Sequence, residues 1–405
     1  MEGIKKMLEI GIQSKGIIKE SVMEEGYKKI KQAGMSYVDY NIMTPKEETE
    51  KLEVAYFEKH KECADKYGLH FSQVHAPLFK YETERPDRIE YILEEMKKSI
   101  AICCLLGSRY LVMHPFELAF KLGKSEERKI NLDYFGALAE EAMRKNVMIC
   151  IENMPSKKNE RLWEGACSSA RETVDYINIL NEGAGGECFG ACFDVGHANV
   201  LGKNLREEVK TLGRHLKVVH IHDNDGVTDS HQLPHTFSNK GNSITDWTGF
   251  LLGLREIGFK GVLSFETYGC FSGIPGVLQE PVLNFLYSVG ANFSRIICFE
   301  EVLEQMGSKK KILFGSGKMF DVYMRDFGKK YPPFFAVDNN ASLWGTDKLG
   351  IVIRSPQDIL AVPEEERVII LCNAYYEDNI KQLEDMGIYR YELTEEILRM
   401  TGRPL

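Results

Sequence analysis

The sequence predicts an α/β protein: a (β/α)8 TIM barrel over residues 1–292, followed by a small Rossmann-like α/β domain over residues 293–405. Three observations predict it. Eight apolar runs of strand length alternate with segments of helical periodicity. The runs are nearly continuous in apolar residues, as suits a parallel sheet buried on both faces. A His, Asp or Glu closes most of them, whereas an open doubly wound sheet gathers its site residues at one crevice.

In chain order the strands are residues 7–13 (MLEIGIQ), 37–43 (YVDYNIM), 70–76 (HFSQVHA) and 109–115 (RYLVMHP). Residues 147–153 (VMICIEN), 189–195 (FGACFDV), 216–222 (LKVVHIH) and 261–267 (GVLSFET) complete the set. The helical segments include EEGYKKIKQAG, RIEYILEEMKKSIAICCLLG and YFGALAEEAMRKN. Gly34, Gly68, Gly107 and Asn146 close helices, because Gly and Asn tolerate the left-handed turn that ends one. The pattern restarts after the barrel. KKKILFGSG (309–317) is a strand entering a glycine turn, and MFDVYMRDFGKKY is the helix after it. FFAVDNN, GIVIRSP and ERVIILCNAYY read as strands, DNIKQLEDMGI as a helix and YRYEL as a last strand.

At 405 residues the chain is long enough for two domains. The net charge of −9 disfavours nucleic acid and anionic membranes as partners. No window approaches the roughly 20 apolar residues of a membrane span. The N-terminal residues do not read as a secretory signal. The ten cysteines are scattered through apolar runs, and Cys188 and Cys192 read as small buried residues. A reduced, cytoplasmic protein is expected.

Nine side chains stand at or just beyond strand ends: His75, His114, Glu152, Asp194, His197, His222, Asp229, His231 and Glu266. A carboxylate ending an apolar strand needs a cation or strong donors. Glu152, Asp194, His222 and Glu266 together form an oxygen-rich site for Mn²⁺, Mg²⁺, Co²⁺ or Zn²⁺. His197 follows Asp194 by three residues, with Gly196 between them permitting a tight turn. His75, His114, His197, Asp229 and His231 are further candidates for metal or substrate. His220 is expected to face outward, toward the helices, and is left out. His60, His70 and His215 are expected to be structural. Trp163, Phe116 and Tyr268 are candidates to wall the pocket.

The motifs HAP, MHP, CIENMP, FDVGHA, HIHDND with DSH, and FET resemble, in order, those of the xylose-isomerase-like barrel superfamily. That group holds sugar isomerases, tagatose and psicose 3-epimerases, inosose dehydratases and endonuclease IV. The resemblance covers residues 1 to about 290. By likeness to the 3-epimerases, one catalytic metal is held by Glu152, Asp194, His222 and Glu266. By likeness to endonuclease IV, all nine residues match the ligands of three zinc ions. The stretch HTFSNKGNSI after Pro234 departs from the endonuclease pattern. The resemblance implies isomerisation or epimerisation of a sugar or sugar derivative, with Glu152 and Glu266 as the proton-transferring pair. Its alternatives are a zinc-dependent phosphodiesterase and a non-catalytic sugar-binding barrel. Barrels of this group commonly pair, so a homo-oligomer is expected.

In the second domain Gly315 and Gly317 fit the first two glycines of a dinucleotide fingerprint, and Phe320 replaces the third. Asp338 ends the next strand near the position of a ribose-binding acid. NAD or another nucleotide is the cofactor this pattern suggests. Packing or assembly is the competing role for a Rossmann-like domain.

Overall fold

The computed structural model describes residues 7–43, 54–82, 84–85, 87–118, 122–158, 161–239, 242–373 and 376–393. Residues 1–6 of the predicted first domain and 374–375 of the predicted strand ERVIILCNAYY lie outside them. The chain forms two compact units, Leu8–Ser294 and Arg295–Leu405 with Met1–Met7.

The first unit is a closed barrel of eight parallel strands. They are β1 (Ile10–Gln13), β2 (Tyr37–Asn41), β3 (His70–His75), β4 (Tyr110–Met113), β5 (Met148–Glu152), β6 (Phe189–Asp194), β7 (Leu216–Ile221) and β8 (Leu263–Phe265). Each pairs with the next, and Ile10–Ile12 of β1 close the ring against Leu263–Phe265 of β8. All eight fall inside the apolar runs. Helices including Met23–Gln32, Glu58–Lys66, Arg88–Leu105 and Ala170–Ala184 lie between strands. Gly34, Gly68, Gly107 and Asn146 all have positive φ, the left-handed conformation expected of helix closers. One helix differs from expectation. The segment 134–146 is broken into the end of Gly123–Gly136 and the short helix Ala139–Arg144. Gly136 and a tightened bond from Leu138 N–H to Phe135 O mark the break.

Side chains alternate along a strand, so one residue in two enters the barrel. Val112, Met148, Cys150, Cys192 and Val218 pack as an apolar cluster. The interior is otherwise unusually polar. Gln13, Asp39, Gln73, His220 and Ser264 are all at most 1% exposed. Gln73 Nε2 donates to Asp39 Oδ2 at 2.5 Å, and Thr267 N–H donates to Gln13 Oε1 at 2.9 Å. Burial pushes the Asp39 carboxyl up to about 6, with His220 beside it acting in the opposite sense. His60 is buried outside the barrel wall, where its ring nitrogens meet the hydroxyls of Tyr27 at 3.0 Å and Tyr40 at 2.9 Å. It is structural, as expected.

The second unit carries a six-stranded sheet. Its strands are β9 (Lys310–Phe314), β10 (Phe335–Val337), β11 (Asp347–Lys348), β12 (Ile351–Arg354), β13 (Arg367–Leu371) and β14 (Tyr391–Leu393). Their order is β11-β12-β10-β9-β13-β14. All neighbours are parallel except β11 and β12, so the sheet is mixed. Ile312, Phe314, Phe335, Val337, Ile359, Ile369 and Leu371 form its core.

Candidate metal centre

The barrel ends its strands at one mouth, and the nine predicted side chains meet there. Glu152 is the last residue of β5 and Asp194 the last of β6. Asp194 also caps the short helix Val195–Val200, its Oδ1 accepting from His197 N–H at 2.7 Å. This cap carries His197 back over the mouth. Asn153 fastens β5 to β6: its Nδ2 donates to Asp194 O at 2.9 Å, and its Oδ1 accepts from Asp194 N–H at 2.7 Å. The loop after β7 is pinned by paired backbone bonds between Asp223 and Gln232. It brings Asp229 and His231 over the site. His231 has φ 47°, the left-handed region that is uncommon for a residue with a side chain.

Three groups of potential ligand atoms result, each within 4.8 Å of one another: His197, His222, Asp229 and His231; His75, Glu152 and His220; and Glu152, Asp194, His220 and Glu266. Glu152 joins the last two. Its Oε2 lies 3.3 Å from His75 Nε2 and 3.1 Å from His114 Nε2. Its Oε1 lies 3.3 Å from His197 Nδ1 and 3.5 Å from His220 Nδ1. Asp229 Oδ2 lies 3.2 Å from His197 Nε2 and 3.4 Å from His231 Nε2. His222 Nε2 is 3.0 Å from Asp194 Oδ1, and its ring stacks on His231 at 3.9 Å.

His220 corrects the sequence reading. Its side chain is fully buried inside the barrel, not directed outward. Residues two apart on a strand share a face, so His220 and His222 point the same way and Ile221 is the outward neighbour. Register agrees, since His220 is the strand partner of Asp194. Its Nδ1 stands 3.3 Å from Glu266 Oε2, and its Nε2 3.5 Å from Asp39 Oδ2. Neither ring nitrogen has a hydrogen-bond partner among the described residues.

Gly196 is also reassigned. It has no left-handed backbone to explain it. A Cβ built there would fall 2.5 Å from both ring nitrogens of His222, so the glycine makes room for that imidazole. Of the aromatic candidates, Tyr268 packs against His231 with ring centroids 4.3 Å apart and planes tilted by 36°. Phe116 is buried against Tyr134, and Trp163 is 57% exposed on a hairpin.

His75 and His231 are oriented in the manner of metal ligands. His75 Nδ1 faces Ala76 O at 2.8 Å, and His231 Nδ1 faces Glu266 O at 2.8 Å. A ring that donates Nδ1–H to a carbonyl turns a bare Nε2 lone pair toward the site. For His75 that lone pair faces the Glu152 carboxylate, and for His231 the Asp229 carboxylate. Two acceptors in such contact repel unless a cation, either a proton or a metal ion, lies between them. The donor set of carboxylates and imidazoles fits a divalent ion.

Electrostatics point the same way. Burial opposes ionisation of Glu152, but His114 and His220 outweigh it and hold the carboxyl well below its usual range. Burial likewise opposes the charge on His197, and Asp194 and Asp229 more than offset it. Burial acts to lower His231, yet the hydrogen bond to Asp229 and the charge of Glu266 lift it to about 9.

A group raised on folding contributes stability in full below its unfolded pKa, and loses it as pH rises through the folded one. In chelator-stripped protein, His231 is therefore expected to remove about 3 kcal/mol of stability between roughly pH 6.5 and 9. The depressed Asp229 is the same ion pair seen from the other side and adds nothing further. Urea unfolding across that window checks this. His231→Gln should flatten the slope, and bound metal should remove it by requiring a neutral imidazole. Stability rising with pH in the stripped protein would contradict the ion pair.

In the second unit Gly315 has φ 109°, and a Cβ there would lie 2.8 Å from Cys372 O. Asp338 Oδ2 accepts from Ser316 N–H at 3.0 Å and Ser316 Oγ at 2.6 Å, tying down the turn that carries the glycines. Gly317 has open space around it. Gly315 and Asp338 thus have work inside the turn itself.

A family model described as "Xylose isomerase-like TIM barrel" matches residues 27–280. The chain is 26% identical over 220 residues to "Probable endonuclease 4" of Nitrosopumilus maritimus (strain SCM1), covering 51% of this chain and 70% of that protein. It is 24% identical over 177 residues to "Inosose isomerase" of Bacillus velezensis, covering 44% and 60%. A solved D-tagatose 3-epimerase-like protein superposes with TM-score 0.53 at 22% identity, covering 70% of this chain and 98% of that one.

Proposed function

The chain belongs to the xylose isomerase-like TIM barrel family, and on that premise we propose that it is a metal-dependent isomerase or epimerase of a sugar or sugar derivative. One observation carries this reading. Glu152 and Glu266 enter the mouth from different strands, yet belong to one group with Asp194 and His220 whose ligand atoms lie within 4.8 Å. Of the ligands proposed from the sequence, Glu152, Asp194 and Glu266 share this group; His222 falls with His197, Asp229 and His231, and His220 stands in its place. A divalent cation held there supplies Lewis-acid polarisation of a carbonyl, which acidifies the neighbouring C–H. Glu152, held deprotonated by its imidazole neighbours, takes that proton, and Glu266 returns one to carbon. No electrons leave the substrate. His197 hydrogen-bonds a substrate oxygen, and Tyr268 walls the site beside His231.

A second reading, phosphodiester hydrolysis, is favoured by one further feature. His75, His114 and the group His197, His222, Asp229 and His231 provide more donors than a single cation needs. Clustered ions suit attack on a phosphodiester. For the second unit we propose a Rossmann-like packing or assembly module, supported by the strand order in which β9 and β13 are central neighbours.

Protein purified without chelator is expected to hold about one exchangeable divalent ion per chain, by elemental analysis, and to place solvent deuterium on carbon of a ketose. Near three zinc ions, with cleavage of bis(p-nitrophenyl) phosphate and no deuterium on carbon, would replace the first reading with the second.

A further inference from the structure

We propose that the opposite, N-terminal mouth of the barrel is a second ligand site, one that takes a small molecule bearing phosphate groups. A cavity of about 500 Å³ opens there. Its lining comes from strand starts: Tyr37 opens β2, Tyr110 opens β4, Leu216 opens β7, and Gly261 and Val262 lead into β8. The candidate metal ligands come from strand ends. The cavity and the metal centre therefore open at opposite ends of the barrel, and the innermost lining residues, Gln73 and Val218, stand two residues before His75 and His220 on the same strands.

Two features give this cavity a chemistry. The first is charge. Arg109, Arg214, Lys217 and Lys260 line it, and among the described residues no carboxylate does. Arg214 reaches Glu187 at 3.5 Å, but both side chains are strongly exposed and the pair is screened. Lys217 Nζ donates to the backbone oxygen of Arg214 at 2.7 Å, which fixes that ammonium beside the Gly213–His215 turn. A cation just past a helix end can serve to offset the helix dipole. That role needs no shared cavity, and it does not account for four cations around one space.

The second feature is shape. Barrel interiors of this kind are ordinarily filled by layers of branched side chains. Here the β1 position on the inward face shared with buried Gln13 is Gly11, which has no side chain to add to such a layer. A Cβ on Gly11 would meet two lining residues, Val262 at 3.1 Å and Tyr37 at 3.2 Å. Tyr37, Phe71, Tyr110 and Phe259 supply aromatic walls. The volume lies in the range of about 300–1,000 Å³ that small-ligand sites occupy. Aromatic walls under a cationic rim fit either a nucleotide or a compact polyphosphate.

Calorimetry on the full-length chain in EDTA, with pyrophosphate and ADP as separate probes, tests this. EDTA removes any metal-borne phosphate binding at the catalytic mouth. At least one probe should bind one per chain and weaken with added salt. Arg109→Ala combined with Lys260→Ala should weaken it about tenfold or more, while Glu152→Gln leaves it unchanged. Both replaced side chains are exposed, so the fold should persist. Binding of pyrophosphate assigns the site to the phosphates alone, and binding of ADP only assigns it to a nucleotide. Binding of neither probe, or binding indifferent to the double substitution, overturns the proposal. None of these outcomes depends on which reaction the metal centre performs.

Discussion

Glu152→Gln should abolish deuterium incorporation into a ketose, by about 10²- to 10⁴-fold, and should greatly weaken the bound divalent ion. The residue is 1% exposed, and both its oxygens face imidazoles: His75 and His114 on one side, His197 and His220 on the other. Glutamine keeps the shape but cannot accept the proton. It also removes the negative charge that Glu152 contributes to two of the three ligand groups. Breaking a buried charge cluster by deleting one partner typically costs about 3–5 kcal/mol. The stripped variant should therefore unfold earlier in urea than stripped parent protein. Mass spectrometry of the recovered ketose and elemental analysis of the variant read the two main effects independently. Retention of both the ion and the exchange would remove Glu152 from the centre of the mechanism. Loss of the ion with exchange intact would separate the metal from the proton transfer.

Much of this site was legible in the sequence because barrel strands are short, apolar and ended by the residues that do chemistry. A polar side chain closing an apolar run is conspicuous, and Glu152, Asp194 and Glu266 all stood out that way. The motif HIHDND was harder. Its two histidines differ by two positions, which on a strand means the same face, and the opposite orientation was expected for His220. Counting from Asp194, its register partner, would have corrected it. Asp39 and Gln73 were missed for a related reason. Each is a polar residue at an inward position inside a strand rather than at its end, where no apolar run closes on it. Their signal is that YVDYN and HFSQVH alternate in the same phase as the ligand-bearing strands around them.

In the second unit, the glycine turn was visible but its purpose was not. Gly315 and Asp338 fit a nucleotide fingerprint by spacing, and the same spacing also lets Asp338 bond Ser316 across the turn. Spacing along a chain reports which residues meet. It does not report whether they meet each other or a ligand. Gly196 makes the same point from the other side. Its position between Asp194 and His197 suggested a turn, yet what it accommodates is a ring from the neighbouring strand end.

That contact makes Gly196→Ala a severe substitution despite its size. The new methyl would overlap the His222 ring, 2.5 Å from each ring nitrogen, and Asp194 already holds the ring's Nε2 at 3.0 Å. His231 is stacked on its face at 3.9 Å, so the imidazole has little room to retreat. Overpacking of this kind costs about 1–3 kcal/mol. Displacing the ring should also weaken divalent-ion binding by about tenfold or more, as changes next to metal ligands do. Gly183→Ala is the matched control. It lies in the helix Ala170–Ala184 with nothing within 4 Å of a new Cβ, and should stabilise by about 0.5–1 kcal/mol. The decisive comparison is the double variant. If the His222 ring is what Gly196 accommodates, Gly196→Ala should cost little further stability once His222→Ala has removed that ring, giving a coupling of about 1 kcal/mol or more. Additive losses in the two single variants would mean that the glycine serves the backbone of the Val195–Val200 helix instead.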